Sequence, residues 1–165
     1  MTTTPVQPVQ NDLIERYRPQ LEDHPVLLYD GVCVVCNRTV QFLLRYERDA
    51  ALRFVPLESP LGCELLARYG IQAGKEPSKE GVILISNALT PTAQLSRRTD
   101  AFAAVLLLLR NPWPIIGRVI RLTPRFLRES AYTLFARHRY RLFGRHVICP
   151  IPTLEQRARI LGIPG

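Results

Sequence analysis

The stretch "PVLLYDGVCVVCNRTVQFLLRYE", residues 25–47, constrains this chain more than any other. It begins as a short apolar run ending on Asp30-Gly31, the pattern of a buried strand entering a tight turn. Cys33 and Cys36 follow, three apart, and Cys36, Val40, Leu43 and Leu44 then recur at helical spacing as one apolar stripe. The chain must therefore pass from strand through turn to helix within these residues. The cysteine pair sits where the helix begins.

The flanking sequence extends this unit. Residues 1–25 are polar and carry four prolines, which reads as a flexible arm with a helical turn around 11–17. "LRFVPLE" (52–58) is strand-like, and Ser59-Pro60 then caps a helix that runs to Tyr69 and stops at Gly70. "GVILISN" (81–87) is the clearest strand, with "AQLS" (93–96) as its hairpin partner. Ser96 is placed to cap a helix through Leu109, with Asp100 in its first turn, and Asn111-Pro112 ends it. Helical stretches follow at about 113–122 and 124–143, the second closed by Gly144, and the tail has room for one short helix. A strand–helix–strand start followed by a hairpin predicts an α/β domain with parallel and antiparallel pairs. That succession matches a thioredoxin-like core over residues 26–110, with a helical C-terminal extension, 111–165, packing on it.

Charge also divides the chain, into a mildly acidic front half and an arginine-rich back half. Residues 97–145 hold eleven arginines against only Asp100 and Glu129, whereas residues 1–96 hold nine basic and eleven acidic groups. The longest strongly apolar run, "AFAAVLLLL", has nine residues, too few to span a bilayer. The first residues lack the apolar core of a secretory signal, and four cysteines are too few for a disulfide scaffold. A cytoplasmic location is expected. There, a close cysteine pair points to catalysis or metal binding more than to a structural bridge.

Two cysteines at i and i+3 in a first helical turn share a side and can close a small disulfide. At the helix start, unpaired N–H groups and the macrodipole favour a thiolate, the attacking species in disulfide exchange. Cys33 is thus the candidate nucleophile. Cys36, heading the apolar stripe, is the candidate resolving thiol and is expected to be the more buried. Asp30 either accepts the thiol proton or caps the Asp-Gly turn. A second reading joins Cys33 and Cys36 to His146 and Cys149 as a Cys₃His zinc site in an interaction module with a basic surface. A third takes the cysteines as ordinary core residues. No cofactor motif is present.

On these residues the chain resembles a known family. "LLYDGVCVVCNRTVQFLLRYERDAALRFVPLESPLG" is similar to the opening of the DCC family of predicted thiol–disulfide oxidoreductases, whose Asp-Cys-Cys signature matches Asp30, Cys33 and Cys36. "RLTPRFLRESAYTLFARHRYRLFGR" and Cys149-Pro150 extend the likeness over about residues 26–152. The resemblance implies a thioredoxin-like fold and dithiol exchange with a protein or small-molecule disulfide. It names neither the substrate nor the upstream reductant. Thioredoxins place a cis-proline directly before the strand facing the CxxC; here Glu80-Gly81 stand there, and Pro77 is the nearest proline. That departure counts against a peptide substrate. Cys63 falls off the apolar face of its helix and reads as a flank residue. The arginine-rich half accompanies no nucleic-acid motif, so only weak electrostatic contact with anionic surfaces is expected of it.

Overall fold

The computed structural model describes residues 12–71, 81–144 and 154–163. Four strands, β1 (Val26–Tyr29), β2 (Arg53–Pro56), β3 (Ile83–Ser86) and β4 (Gln94–Arg97), form one sheet in the order β2-β1-β3-β4. β1 pairs parallel with β2 and antiparallel with β3, and β3 pairs antiparallel with β4. Central β1 is buried on both faces, so its four residues read as an unbroken apolar run.

Alternation along β1 assigns its side chains to two cores. Val26 and Leu28 join Val55, Leu61 and Leu65 on the face covered by α1 (Asp12–Leu21) and α3 (Pro60–Arg68). Leu27 and Tyr29 join Val40, Leu43, Phe54 and Val105 on the face covered by α2 (Val34–Tyr46) and α4 (Arg98–Leu107). This layering is the thioredoxin-like arrangement that the sequence predicts. The α3 start is also as read: Gly62 N–H donates to Ser59 Oγ at 3.0 Å.

Three segments differ from their sequence reading. Within the supposed arm, residues 12–21 form a full helix whose Ile14 and Leu21 are wholly buried. Pro19 falls in the last turn, where its missing N–H removes a single helical bond, so the proline does not break the helix. Ser96 caps nothing. It pairs with Leu84 inside β4, and α4 starts only at Arg98, without a side-chain cap. The tail does more than add α7 (Leu154–Arg157): Phe54 N–H donates to Arg159 O and Leu161 N–H to Phe54 O, both at 2.8 Å, which covers the outer edge of β2.

Two further helices, α5 (Trp113–Leu122) and α6 (Arg125–Phe143), complete the described chain. α5 packs against α4, and α6 packs against α4 and α2. No helix among the described residues is long and apolar enough to cross a membrane.

Candidate active site

The first strand, the turn after it and the first turn of α2 build the site. Asp30 is 1% exposed, and its Oδ1 accepts the N–H groups of Val32 and Cys33, each at 3.1 Å. Asn37 Nδ2 donates to Gly31 O at 2.6 Å and to Cys33 O at 3.0 Å, tying the turn to the helix from the other side. Held this way, Cys33 is the N-cap of α2, with extended backbone angles and a free thiol. The capping groups come from around it, since its own side chain caps nothing.

At that position Cys33 is acidified to about 6. The largest cause is a hydrogen bond from the Cys36 thiol. Burial works against the charge, as does the nearby Asp30 carboxylate; the N–H groups of Cys36 and Val35 work for it. Cys36 moves the opposite way, well above the ordinary thiol value, because it donates to Cys33, is desolvated and faces the Cys33 charge. One thiolate and one thiol thus share a proton at the helix start.

Exposure reverses the sequence expectation. Cys33 has no exposed surface, whereas Cys36 is half-buried. The stripe of Cys36, Val40 and Leu43 does point inward, but side chains do not fill the space it faces. A cavity of about 300 Å³ remains there, bounded by α2, α4 and α6, and Cys36, Val40, Val105, Phe135 and Arg139 line it. Cys36 opens onto this cavity.

The roof comes from α6. Arg139 Nη2 donates to Asp30 Oδ2 at 2.9 Å and to Tyr140 OH at 3.0 Å, and Tyr140 OH donates to the same Asp30 oxygen. Burial opposes the Arg139 charge, but the hydrogen bonds to Tyr140 and Asp30 outweigh it and hold the guanidinium above its ordinary range. Asp30 thus accepts from Val32, Cys33, Arg139 and Tyr140, with the Glu58 carboxyl beside it. It orients the turn and anchors α6, and its charge raises both thiols. The geometry shows Asp30 holding the turn, which is one of the two roles the sequence offers it.

Two turns earlier on α6, Tyr132 OH accepts the Val82 N–H at 3.2 Å, just before β3 begins. Gly81 has φ +77°, and a Cβ there would come within 2.4 Å of that hydroxyl. The chain thus uses Gly81 to admit Tyr132.

Glu58 is a partner that sequence reasoning did not single out. Its Oε2 accepts Gly31 N–H at 3.0 Å, and desolvation, helped by neighbouring Asp30, raises its carboxyl above the ordinary value. Glu58 lies in the "FVPLESP" motif, and Arg139 and Tyr140 lie in the arginine-rich "RHRYR", which does not by itself single them out. Cys63 is exposed, as its place on α3 predicts, and its thiol is raised by desolvation and then by Glu58. His146 and Cys149 lie outside the described residues. Among those described, no three His, Cys, Asp or Glu side chains gather to hold a metal ion.

The sequence model of the DCC1-like thiol-disulfide oxidoreductase family matches residues 27–145. The protein YuxK of Bacillus subtilis (strain 168) is 30% identical over 136 residues, which cover 82% of this chain and 93% of that protein. A chloroplastic DCC family protein of Arabidopsis thaliana is 29% identical over 131 residues, 79% of this chain and 71% of that one. No solved structure matches the chain significantly.

Proposed function

The chain belongs to the DCC1-like thiol-disulfide oxidoreductase family, and on that premise we propose that it exchanges disulfides through Cys33 and Cys36. The observation that carries this reading is the shared proton: Cys33 is acidified to about 6, chiefly by the Cys36 thiol, at the N-cap of α2. In the forward direction the Cys33 thiolate attacks a substrate disulfide, forms a mixed disulfide and releases one substrate thiolate. Cys36 then gives up its proton and attacks the Cys33 sulfur. The second substrate thiol leaves and the protein holds a Cys33–Cys36 disulfide. Two electrons pass from the dithiol to the substrate, and the two thiols formed carry its sulfurs.

Stabilising one thiolate in the dithiol form favours that form and makes the disulfide a stronger oxidant than a pair of ordinary thiols would give. A cytoplasmic location, where the surrounding thiol pool keeps the pair reduced, belongs to the same reading. The acidity of Cys33 assigns it the attacking role although Cys36 has the more open surface. A protonated thiol that faces a cavity is a poor nucleophile until its partner is consumed.

Single substitutions test this. Cys33→Ser should abolish reduction of a chromogenic aryl disulfide. Cys36→Ser should still attack and then stay joined to its substrate, a covalent adduct visible by intact mass. If Cys33→Ser forms the adduct and Cys36→Ser does not, the roles are reversed. If both variants turn over like the parent, dithiol exchange at this site is wrong.

A further inference from the structure

The helices that roof the site have a second apolar face. α5 buries Gly117 and packs Trp113 and Ile120 against the core, yet Ile115, Ile116, Val119 and Leu122 form a separate stripe in solvent. A helix seated on a domain needs one apolar stripe, and α5 has two. α6 starts after a two-residue corner, Thr123-Pro124, and opens with Phe126 and Leu127, also exposed. Leu122 (84%) and Phe126 (70%) are the most exposed large hydrophobic side chains described, and they flank this corner. Leu134 and Leu142 continue the exposed apolar surface along α6.

Charge around that surface is mostly positive, with half-buried Asp100 and Glu129 beside Arg121 and Arg125. From Arg110 to Phe143 every exposed charged residue is an arginine, including Arg118, Arg121, Arg125, Arg137 and Arg141. Arg125 reaches Asp100 at 3.8 Å but remains 76% exposed. The corner therefore reads Arg121-Leu122-Thr123-Pro124-Arg125-Phe126-Leu127: exposed apolar residues interleaved with two cations.

We infer that the α5–α6 corner is a docking surface for anionic phospholipid membranes, lying in the headgroup layer with Leu122 and Phe126 reaching into the acyl boundary. A bilayer bearing acidic lipids offers both complements at once, negative headgroups for the arginines and hydrocarbon for the exposed apolar residues. Nucleic acid satisfies the arginines but leaves Ile115, Val119 and Leu122 without a partner, since bases stack on aromatic and guanidinium planes. A second copy meeting this surface with its own sets arginine against arginine. A neutral bilayer takes the apolar residues and gives nothing to the cations.

Vesicle co-sedimentation of the full chain tests this, with phosphatidylcholine vesicles made with and without phosphatidylglycerol. Binding should be at least about tenfold stronger to the vesicles that contain phosphatidylglycerol, and salt should weaken it. Leu122→Asp/Phe126→Asp should lose about tenfold or more of that binding, and Arg121→Gln/Arg125→Gln should lose the preference for acidic lipid. Both positions are exposed, so circular dichroism and the count of free thiols should match the parent. Failure to prefer acidic vesicles overturns the inference, as does full binding by Leu122→Asp/Phe126→Asp. So does light scattering that shows a dimer dissolved by the same pair of substitutions, which would make a second copy the occupant.

Discussion

Arg139 Nη2 stands 2.9 Å from Asp30 Oδ2, a contact across 109 residues in which both side chains are almost wholly buried. It ties the C-terminal α6 to the turn that presents Cys33. The arginine-rich half of the chain is therefore part of the site's construction as well as of the surface.

The first prediction follows from removing one partner. Arg139→Met leaves the Asp30 carboxylate buried with only neutral donors, a change that typically costs about 3–5 kcal/mol. Urea unfolding should show that loss, and Asp30→Asn combined with Arg139→Met should recover part of it, because no uncompensated charge then remains. A double variant no more stable than Arg139→Met would mean that the charge pairing is not what α6 contributes.

Cys33 acidity gives the second. Its thiolate forms above about pH 6 and is protonated below, so iodoacetamide labelling at Cys33, in a Cys63→Ser background, should rise through a midpoint near there. Since the Cys36 hydrogen bond is the largest cause, Cys36→Ala should move that midpoint toward the ordinary thiol value, and Cys36→Ser, which keeps a donor, should move it less. The linkage runs the same way. A depressed folded-state value stabilises the reduced protein fully above the unfolded thiol's range, and this contribution fades as pH falls toward 6. An unchanged midpoint in Cys36→Ala would rule out the shared proton.

These two contacts differ in how visible they are in the sequence. The strand, turn and helix around Asp30 are local. A short apolar run, Asp-Gly and helical spacing suffice to place Cys33 at the start of α2, as found. The partner choices are long-range. Nothing in "RHRYR" tells which arginine turns inward, because arginines at neighbouring helical positions are chemically alike until a buried carboxylate selects one. The same limit explains the exposure of Cys36. Periodicity gives the direction in which a stripe points, but not whether the facing helix fills the space, and here a cavity remains. Pro19 misled for a related reason, since a proline's effect depends on where in the helix it falls.

Gly81 supplies the third. With φ +77° and the Tyr132 hydroxyl where a Cβ would stand, Gly81→Ala incurs backbone strain, about 1–3 kcal/mol for a non-glycine residue in such a region, and displaces Tyr132. Tyr132→Phe alone should cost less, about 1 kcal/mol, for the lost acceptor of Val82 N–H. The double variant should fall short of the summed losses, because without the hydroxyl part of the clash is gone. Strict additivity in thermal unfolding would show that Gly81 and Tyr132 do not meet.

The last prediction comes from the mismatch between acidity and access. Cys33 is the thiolate and yet has no exposed surface, so a reagent must wait for the turn or its α6 roof to open. At pH 8, where the thiolate is fully formed, its labelling should be about tenfold or more slower than that of an exposed thiol of equal acidity, and low urea should accelerate it without global unfolding. Cys63 is the internal reference: it is exposed, its thiol is raised, and its labelling should keep climbing with pH beyond the Cys33 midpoint and respond little to urea. Arg139→Met should speed Cys33 labelling even where the pH midpoint stays in place, because it loosens the roof more than it alters the Cys36 hydrogen bond. If Cys33 in the parent protein reacts as fast as a free thiolate and is indifferent to urea, the roof is not a barrier and exchange proceeds from the closed form.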